Sequence, residues 1–393
     1  MPVEMPIQML PTLIIDGLCW LCLSVFCFAT LMVILNAIFA TKMGSAADST
    51  AEKPLVSLLI PMRDEAENLR HLLPAMLAST YRPMEVIILD DESQDDSSKL
   101  AASLASSAPL PVRIIQGKPW SPALGLSGKA NACAQLADLA NGEILIFCDA
   151  DIRPSARAVE HTVDIMTKPG ARNKMAGLSA LPAQSCSGLR ERLLIPWIMH
   201  LPLMISVPLF CSWRLPAASM QMANGQWVAL FKSDYLASGG HRDLGTTPLE
   251  DVALARQVHR RTGRGLQPVL AAGDITAAMY TDWQATLSGF SKNLVAIGGG
   301  TPLIFGFLMM MVNAVFLFPI WGYFFRPDLA AICLVLCAVI RFVTARIFKM
   351  PVRDLLLHPF SLVLLDIAAW TSLKSTLRGS YEWKGRVVKW SPT

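Results

Sequence analysis

Apolar positions in this chain are distributed in two ways. Long unbroken runs lie near both ends, and between them short runs alternate with stretches of helical spacing. Residues 13–40 are apolar except for Asp16. That is longer than the ~20 residues a bilayer crossing needs. It is too long for a signal-peptide core, and no Lys or Arg precedes it, so it reads as a retained anchor. Residues 303–325 and 329–348 predict a second and a third span, with Arg341 and Arg346 toward the end of the third. Residues 358–373 are apolar apart from Asp366 and are expected to cross, or to dip in and return. Residues 193–213 are uncharged, but Pro196, Pro202 and Pro208 interrupt them. They are expected to lie along the membrane interface rather than cross it.

The middle of the chain alternates strand and helix patterns. Residues 56–60, 85–89, 112–115 and 143–148 are short apolar runs, read as buried strands. Between them, residues 68–79 place Leu69, Leu72, Leu73, Met76 and Leu77 at helical spacing. Residues 129–140 are a second helix, and Ser93 with Asp95 and Asp96 reads as the N-cap of another. Such alternation predicts an α/β domain with a mainly parallel central sheet and ligands at the strands' carboxyl ends. Residues 41–52, rich in small side chains, read as a linker.

Composition sharpens this picture only locally. The chain has 393 residues, 53% hydrophobic and 16% charged, and the apolar excess sits at the ends. A net charge of +4 gives no reason to expect nucleic-acid binding. From Lys374 onward there are five basic residues and one acidic, a tail suited to the anionic cytoplasmic face of a membrane. Lys42 after the first span points the same way and places the middle domain in the cytoplasm. Cys19 and Cys22 form a C-x-x-C inside an apolar run without polar companions, so they read as small buried side chains rather than a zinc or redox site. Neither a G-x-G-x-x-G nor a G-x-x-x-x-G-K-[ST] follows any strand.

The acidic residues mark the strand ends. The run Ile144–Cys148 stops at Asp149-Ala150-Asp151. Alone, this is most simply an acidic turn. Two carboxylates held close nevertheless become favourable beside a divalent cation. The full order is Pro61-Met62-Arg63-Asp64-Glu65-Ala66-Glu67-Asn68, Asp90-Asp91, Gly128-Lys129-Ala130-Asn131, Asp149-Ala150-Asp151 and Glu250-Asp251. Over residues 54–264 this series resembles a family 2 glycosyltransferase of GT-A fold. With the flanking apolar segments it resembles the membrane-bound branch that glycosylates lipids such as ceramide, hopanoids or carotenoids.

The resemblance implies a nucleotide-sugar donor, by family habit a UDP-sugar, and a lipid or other hydrophobic acceptor. It implies Mn2+ or Mg2+ on Asp151 with Asp149, and nucleotide-sugar contacts at Pro61, Arg63, Glu65, Asp90, Asp91, Lys129 and Asp149. Asp251 would be the general base beside Glu250, and the single displacement would invert the anomeric centre. Asn224, Gly225, Gln226 and His241 would border the acceptor. The expected organisation is an anchor and linker (1–45), a cytoplasmic GT-A domain (46–290) and a C-terminal membrane region with a basic tail (291–393), in a bacterial-type inner membrane. No Q-x-x-R-W follows Glu250-Asp251. That departure argues against a processive polysaccharide synthase and leaves Lys292 as a candidate partner of the leaving diphosphate. The Trp383-Lys384-Gly385-Arg386 run resembles a tail motif of such membrane enzymes. A third alternative is a non-catalytic scaffold on a degenerate GT-A domain. It is disfavoured by the intact Asp91, Asp149, Asp151 and Asp251.

Overall fold

The short apolar runs become one seven-stranded sheet. The computed structural model describes residues 10–44, 53–106, 108–186, 188–280, 282–383 and 386–389. Strands β1 (Val56–Met62), β2 (Met84–Asp90), β3 (Val112–Gln116) and β4 (Ile144–Cys148) are joined by helices Ala66–Leu77, Ser97–Ala105 and Gly128–Leu139. Strands β5 (Ile152–Pro154), β6 (Met175–Leu181), β7 (Ala183–Gln184), β8 (Trp227–Phe231), β9 (Gly265–Leu270) and β10 (Ile275–Ala277) follow. The main sheet runs β3-β2-β1-β4-β8-β6-β9, and a small sheet β5-β10-β7 lies beside it. β1 pairs in parallel with both β2 and β4, which is why its side chains alternate to two buried faces and its sequence is almost continuously apolar. β8 inserts antiparallel, setting Cys148 opposite Trp227. All these first strands end on one edge, so their acidic termini share it.

Two sequence expectations change here. Ser93 does not cap the helix Ser97–Ala105: its hydroxyl accepts the Asp64 amide (3.1 Å). Asp95 instead accepts the amides of Ser97 (3.0 Å) and Ala66 (3.1 Å), tying two helix starts together. The first residues of the expected linker, 41–44, are docked on the sheet. Met43 donates to the Leu270 carbonyl (2.9 Å), and Leu270 to that of Thr41 (2.8 Å), so the first long helix, Leu10–Phe39, runs straight onto the edge of β9.

Among the described residues, three helical stretches are long and apolar enough to cross a membrane: 12–39, 327–347 and 352–377. The expected second span is not straight. Helices Pro302–Phe316 and Phe318–Trp321 with the turn after them meet at 46°, where Pro319 cannot donate to the preceding turn. Cys19, Cys22, Phe26, Ala29 and Val33 form a buried stripe on the first helix, in one apolar cluster with Cys333, Cys337 and Ile340. The C-x-x-C is thus packing, and all its sulfurs are free thiols. The last apolar run, helix His358–Leu377, carries Asp366, which accepts from Asn313 Nδ2 (2.8 Å). Lys384 and Gly385 of the tail motif lie outside the described residues; on either side Trp383 pairs with Arg386 in a hairpin.

Residues 193–213 fold as two short helices, Leu189–Met199 and Leu201–Ser206, neither long enough to span. Leu194, Ile195, Trp197 and Ile198 are buried in the same cluster as the long helices. Asn36, fully buried on the first helix, fixes the break that follows. Its amide donates to the carbonyls of Met204 (3.1 Å) and Val207 (2.7 Å), and its oxygen accepts from the Leu209 amide (2.9 Å). An Asn36→Leu substitution removes all three bonds; the Leu209 amide keeps the Val207 carbonyl (2.9 Å), and the Met204 carbonyl is stranded. The substitution is expected to lower the stability of the detergent-solubilised protein by about 1–3 kcal/mol, measurable as a lower thermal midpoint. An unchanged midpoint would mean the break holds without this clamp.

Candidate active site

The loops after β1 and β2 grip each other at the carboxyl edge. Asp64 (φ 52°) and Glu92 (φ 62°) both adopt the left-handed conformation that side chains avoid, a strain that persists where surrounding contacts over-determine it. The contacts are present: Asp64 accepts the Gln94 amide (2.6 Å), and Asp90 accepts the Ser93 amide (2.9 Å). Arg63 Nη1 donates to the Asp91 carbonyl (2.7 Å) and lies 3.8 Å from Glu92. Asp90 and Asp91 are almost fully buried. Glu65 accepts from Asn68 (2.7 Å), whose oxygen takes a bond from Arg153 Nη2 (2.7 Å). Arg63, Glu65, Asp90 and Asp91 therefore form one loop cluster, and Pro61 reaches from it into the neighbouring cleft.

That cleft, about 330 Å³, is lined by Lys129, Asp149, Gly225, His241, Glu250 and Asp251. Lys129 opens the helix after the Ser127 cap, and its ammonium lies 2.7 Å from Asp149 and 3.5 Å from Glu250. Burial opposes the charge on Lys129. Asp149, then Glu250, outweigh it and hold its pKa well above the usual lysine value. Asp151 sits differently. Its Oδ1 is buried with no hydrogen-bond partner among the described residues. Burial, then Asp149, then Glu65 push its carboxyl up to about 7. An open carboxylate oxygen in a cluster of negative charge is the environment that a divalent cation relieves, although among the described residues no three acids, histidines or cysteines are grouped so as to hold one.

Asp251 stands in the first turn of helix Glu250–Thr262. Its Oδ2 accepts from the Gly225 amide (2.7 Å) and its Oδ1 from the Val252 amide (2.8 Å). Burial first, and Glu250 next, raise its pKa to about 6 despite Lys129 and these two bonds. The Asn224–Gln226 loop is itself braced. Asn224 N donates to Ser179 Oγ (2.7 Å), and the Gln226 amide to Asn224 Oδ1 (3.0 Å). The Cβ of a residue replacing Gly225 would crowd the Asp251 side chain, at 3.2 Å from its Cβ and 3.3 Å from Oδ2.

His241 lines the same cleft but is buried, edge-on to Phe147 (4.7 Å between centroids) and 3.0 Å from the Tyr235 hydroxyl. Burial, with Lys129 second, lowers its pKa to about 3. It is a neutral ring packed into the cleft wall. Lys292 ends the helix Trp283–Ser291 and is not among the residues lining the cleft.

Two residues that sequence reasoning missed belong to this neighbourhood. Tyr280 is close enough to Asp151 for the carboxylate to raise its pKa, after burial. Gln184 Nε2 donates to Gln226 Oε1 (3.0 Å). Neither carries a local motif; only the closing of the small sheet brings them in.

Residues 57–177 match the sequence family described as Glycosyl transferase family 2. Curated relatives include the 4,4'-diaponeurosporenoate glycosyltransferase of Staphylococcus haemolyticus (strain JCSC1435), 25% identical over 248 residues, 63% of this chain and 62% of the relative. The same-named protein of Staphylococcus aureus (strain USA300) is 26% identical over 250 residues, with the same shares. The matched region is thus 62% of the length of these relatives. Among solved structures, the mannosyltransferase PcManGT from Pyrobaculum calidifontis, in complex with GDP-Man and Mn2+, superposes with a TM-score of 0.50 at 18% identity. The superposition covers 91% of this chain and 99% of that one. At that identity the likeness is one of fold.

The raised pKa of Asp151 has a sign. Its stabilising protonated form is present below about pH 7 and lost as the pH rises through that value. Asp151→Asn is therefore expected to raise the thermal midpoint of chelator-treated protein at about pH 8, with the gain shrinking as the pH falls below about 7 and gone near the ordinary aspartate value of about 4. Added Mn2+ should stabilise the wild type and not the variant. Equal stabilisation of both would place the ion elsewhere.

Proposed function

We propose that this chain, whose residues 57–177 match glycosyl transferase family 2, transfers a sugar from a nucleotide diphosphate to a lipid-like acceptor at a membrane. The observation that carries this reading is Lys129, which joins Asp149 to Glu250 and so holds both acidic clusters in one cleft. The relatives named for 4,4'-diaponeurosporenoate favour an acceptor of the carotenoid or similar lipid class. The three long apolar helices favour a chain embedded in the bilayer, with the cleft on its cytoplasmic side.

In this reading Arg63, Glu65, Asp90 and Asp91 hold the nucleoside, and Asp149 with Lys129 meets the diphosphate side. Asp151 and Asp149 hold Mn2+ or Mg2+, which when bound supplies positive charge to the departing diphosphate. The acceptor hydroxyl lies beside Asp251, held in place by the Gly225 and Val252 amides. As the acceptor oxygen bonds to the anomeric carbon, the bond to the diphosphate oxygen breaks and its electron pair leaves with the diphosphate. The acceptor proton passes to Asp251. Attack opposite the leaving group inverts the anomeric configuration.

Asp251→Asn is expected to lower kcat by about 10²–10⁴-fold, with donor binding retained. Because the base works only when ionised, wild-type turnover should fall as the pH drops through about 6, and the variant should lack that limb. Lipid extracts of cells with and without the gene, compared by mass spectrometry, would reveal the acceptor plus one sugar residue. No such mass difference, with equal donor turnover by wild type and variant, would sink the proposal.

A further inference from the structure

His241 lines the cleft that holds Lys129 and Asp251, and its two ring nitrogens differ. The Tyr235 hydroxyl lies 3.0 Å from Nδ1 and accepts the His241 backbone N–H (3.1 Å). The phenol has no other partner among the described residues, so Nδ1 is the one acceptor offered to its own proton. Burial, with the Lys129 ammonium second, keeps the ring neutral. A neutral imidazole that accepts at Nδ1 carries its proton on Nε2. Nε2 has no hydrogen-bond partner among the described residues. Unlike His200 Nδ1 and His259 Nδ1, it is not sealed in the interior, and it opens on the cleft.

The surrounding chain holds this arrangement in place. Gly239 (φ 79°) and Gly240 (φ 54°) make a left-handed turn after the helix Lys232–Ala237. A Cβ on Gly240 would lie 2.4–2.7 Å from the Tyr235 ring and hydroxyl. Glycine is therefore what lets the phenol reach back across the turn to His241. Gln257 Nε2 donates to the carbonyls of Ser238 (2.9 Å) and Gly240 (2.7 Å). Gln257 belongs to the helix Glu250–Thr262, which begins with the two acids of the cleft. His241 and those acids are thus fixed to one rigid element.

The lining sorts by chemistry. Asp149 and Glu250 accept hydrogen bonds, Lys129 and His241 donate them, and Phe147 and Leu254 offer apolar surface. A phosphate oxygen only accepts, and Glu250 would repel it. A hydroxyl donates to a carboxylate and accepts from an N–H at once, and a pyranose carries several hydroxyls around apolar C–H faces. We infer that His241, through Nε2–H, donates to a hydroxyl oxygen of the transferred sugar and so selects among hexose epimers, with Tyr235 and Gln257 as its positioning residues. The identity of the ligand rests on the glycosyltransferase reading; the state of the ring does not.

The test uses the full chain in lipid nanodiscs. Nitrogen NMR of isotope-labelled histidine at neutral pH should show a ring protonated on Nε2 alone. That signal should be absent from His241→Phe and become a mixture of tautomers in Tyr235→Phe. A His241 ring protonated on Nδ1, or on both nitrogens, would overturn the inference. Binding of UDP-glucose, UDP-galactose and GDP-mannose is then measured, each against its bare nucleotide. His241→Phe should weaken the preferred hexose donor by about fivefold, the worth of one neutral hydrogen bond. It should leave the bare diphosphate unaffected and flatten the preference between epimers. His241→Gln, whose amide can donate, should regain part of that preference. If His241→Phe does not fold, Tyr235→Phe carries the same comparison with a smaller loss expected. An equal loss for sugar and bare diphosphate, or an epimer preference untouched in a folded variant, overturns the inference alone. A wild type that binds neither nucleotide nor nucleotide sugar sinks the glycosyltransferase reading, and the sugar with it, whatever the tautomer.

Discussion

The ammonium of Lys129 is what allows the rest of the cleft to exist. Asp149 and Glu250 come from elements a hundred residues apart and point into the same small space. Left alone, with Asp151 and Asp251 behind them, they would repel. One partly buried cation placed 2.7 Å from the first and 3.5 Å from the second converts that repulsion into a link between the strand-end acids and the acids at the start of a helix. The link is paid for in desolvation. It is tolerable because two carboxylates share the one charge, and because the ammonium still meets water at about a fifth of its surface. The shifts at Asp251 and Asp151 follow from the same economy. Each is buried near negative neighbours, and Lys129 offsets only part of that.

Much of the scaffold was legible in the sequence, for a definite reason. β1, β2 and β4 are buried on both faces, so their apolar runs are unbroken and end sharply at the acids. Asp149 and Asp151 stood out because they sit at such a boundary; Glu250 and Asp251, at the start of a helix, were named through the family resemblance. The loop geometry was not legible. Nothing in the run Asp90-Asp91-Glu92-Ser93 says that Glu92 turns left-handed or that Ser93 serves Asp64 rather than its own helix. Gln184 and Tyr280 were missed for a different reason. Their meaning depends on neighbours distant in the chain, Gln226 for Gln184 and Asp151 for Tyr280.

The apolar ends show the same division. Hydropathy located the long helices, while the polar residues inside them acquire meaning only from their partners. Asp366 is matched by Asn313, and Asp16 pairs with Arg326 at the far end of the first helix. Asn36 holds the break in the two short helices instead of standing as a flaw in an apolar run. The exception is Pro319. Its bend was implicit in the residue type, and it was overlooked because the run around it is so uniformly apolar.

The direct passage of the first helix onto β9, through Thr41 and Met43, has a mechanical consequence. A flexible tether would let the catalytic domain rise, tilt and sample acceptors of many lengths. A helix that becomes part of the sheet edge leaves no slack. The height of Asp251 above the end of that helix is then a constant of the molecule, like the gap of a caliper. Under the proposed transfer to a membrane-dissolved acceptor, the site would then measure not only the chemistry of that acceptor but its reach: how far its reactive oxygen stands out from the layer in which its tail is dissolved.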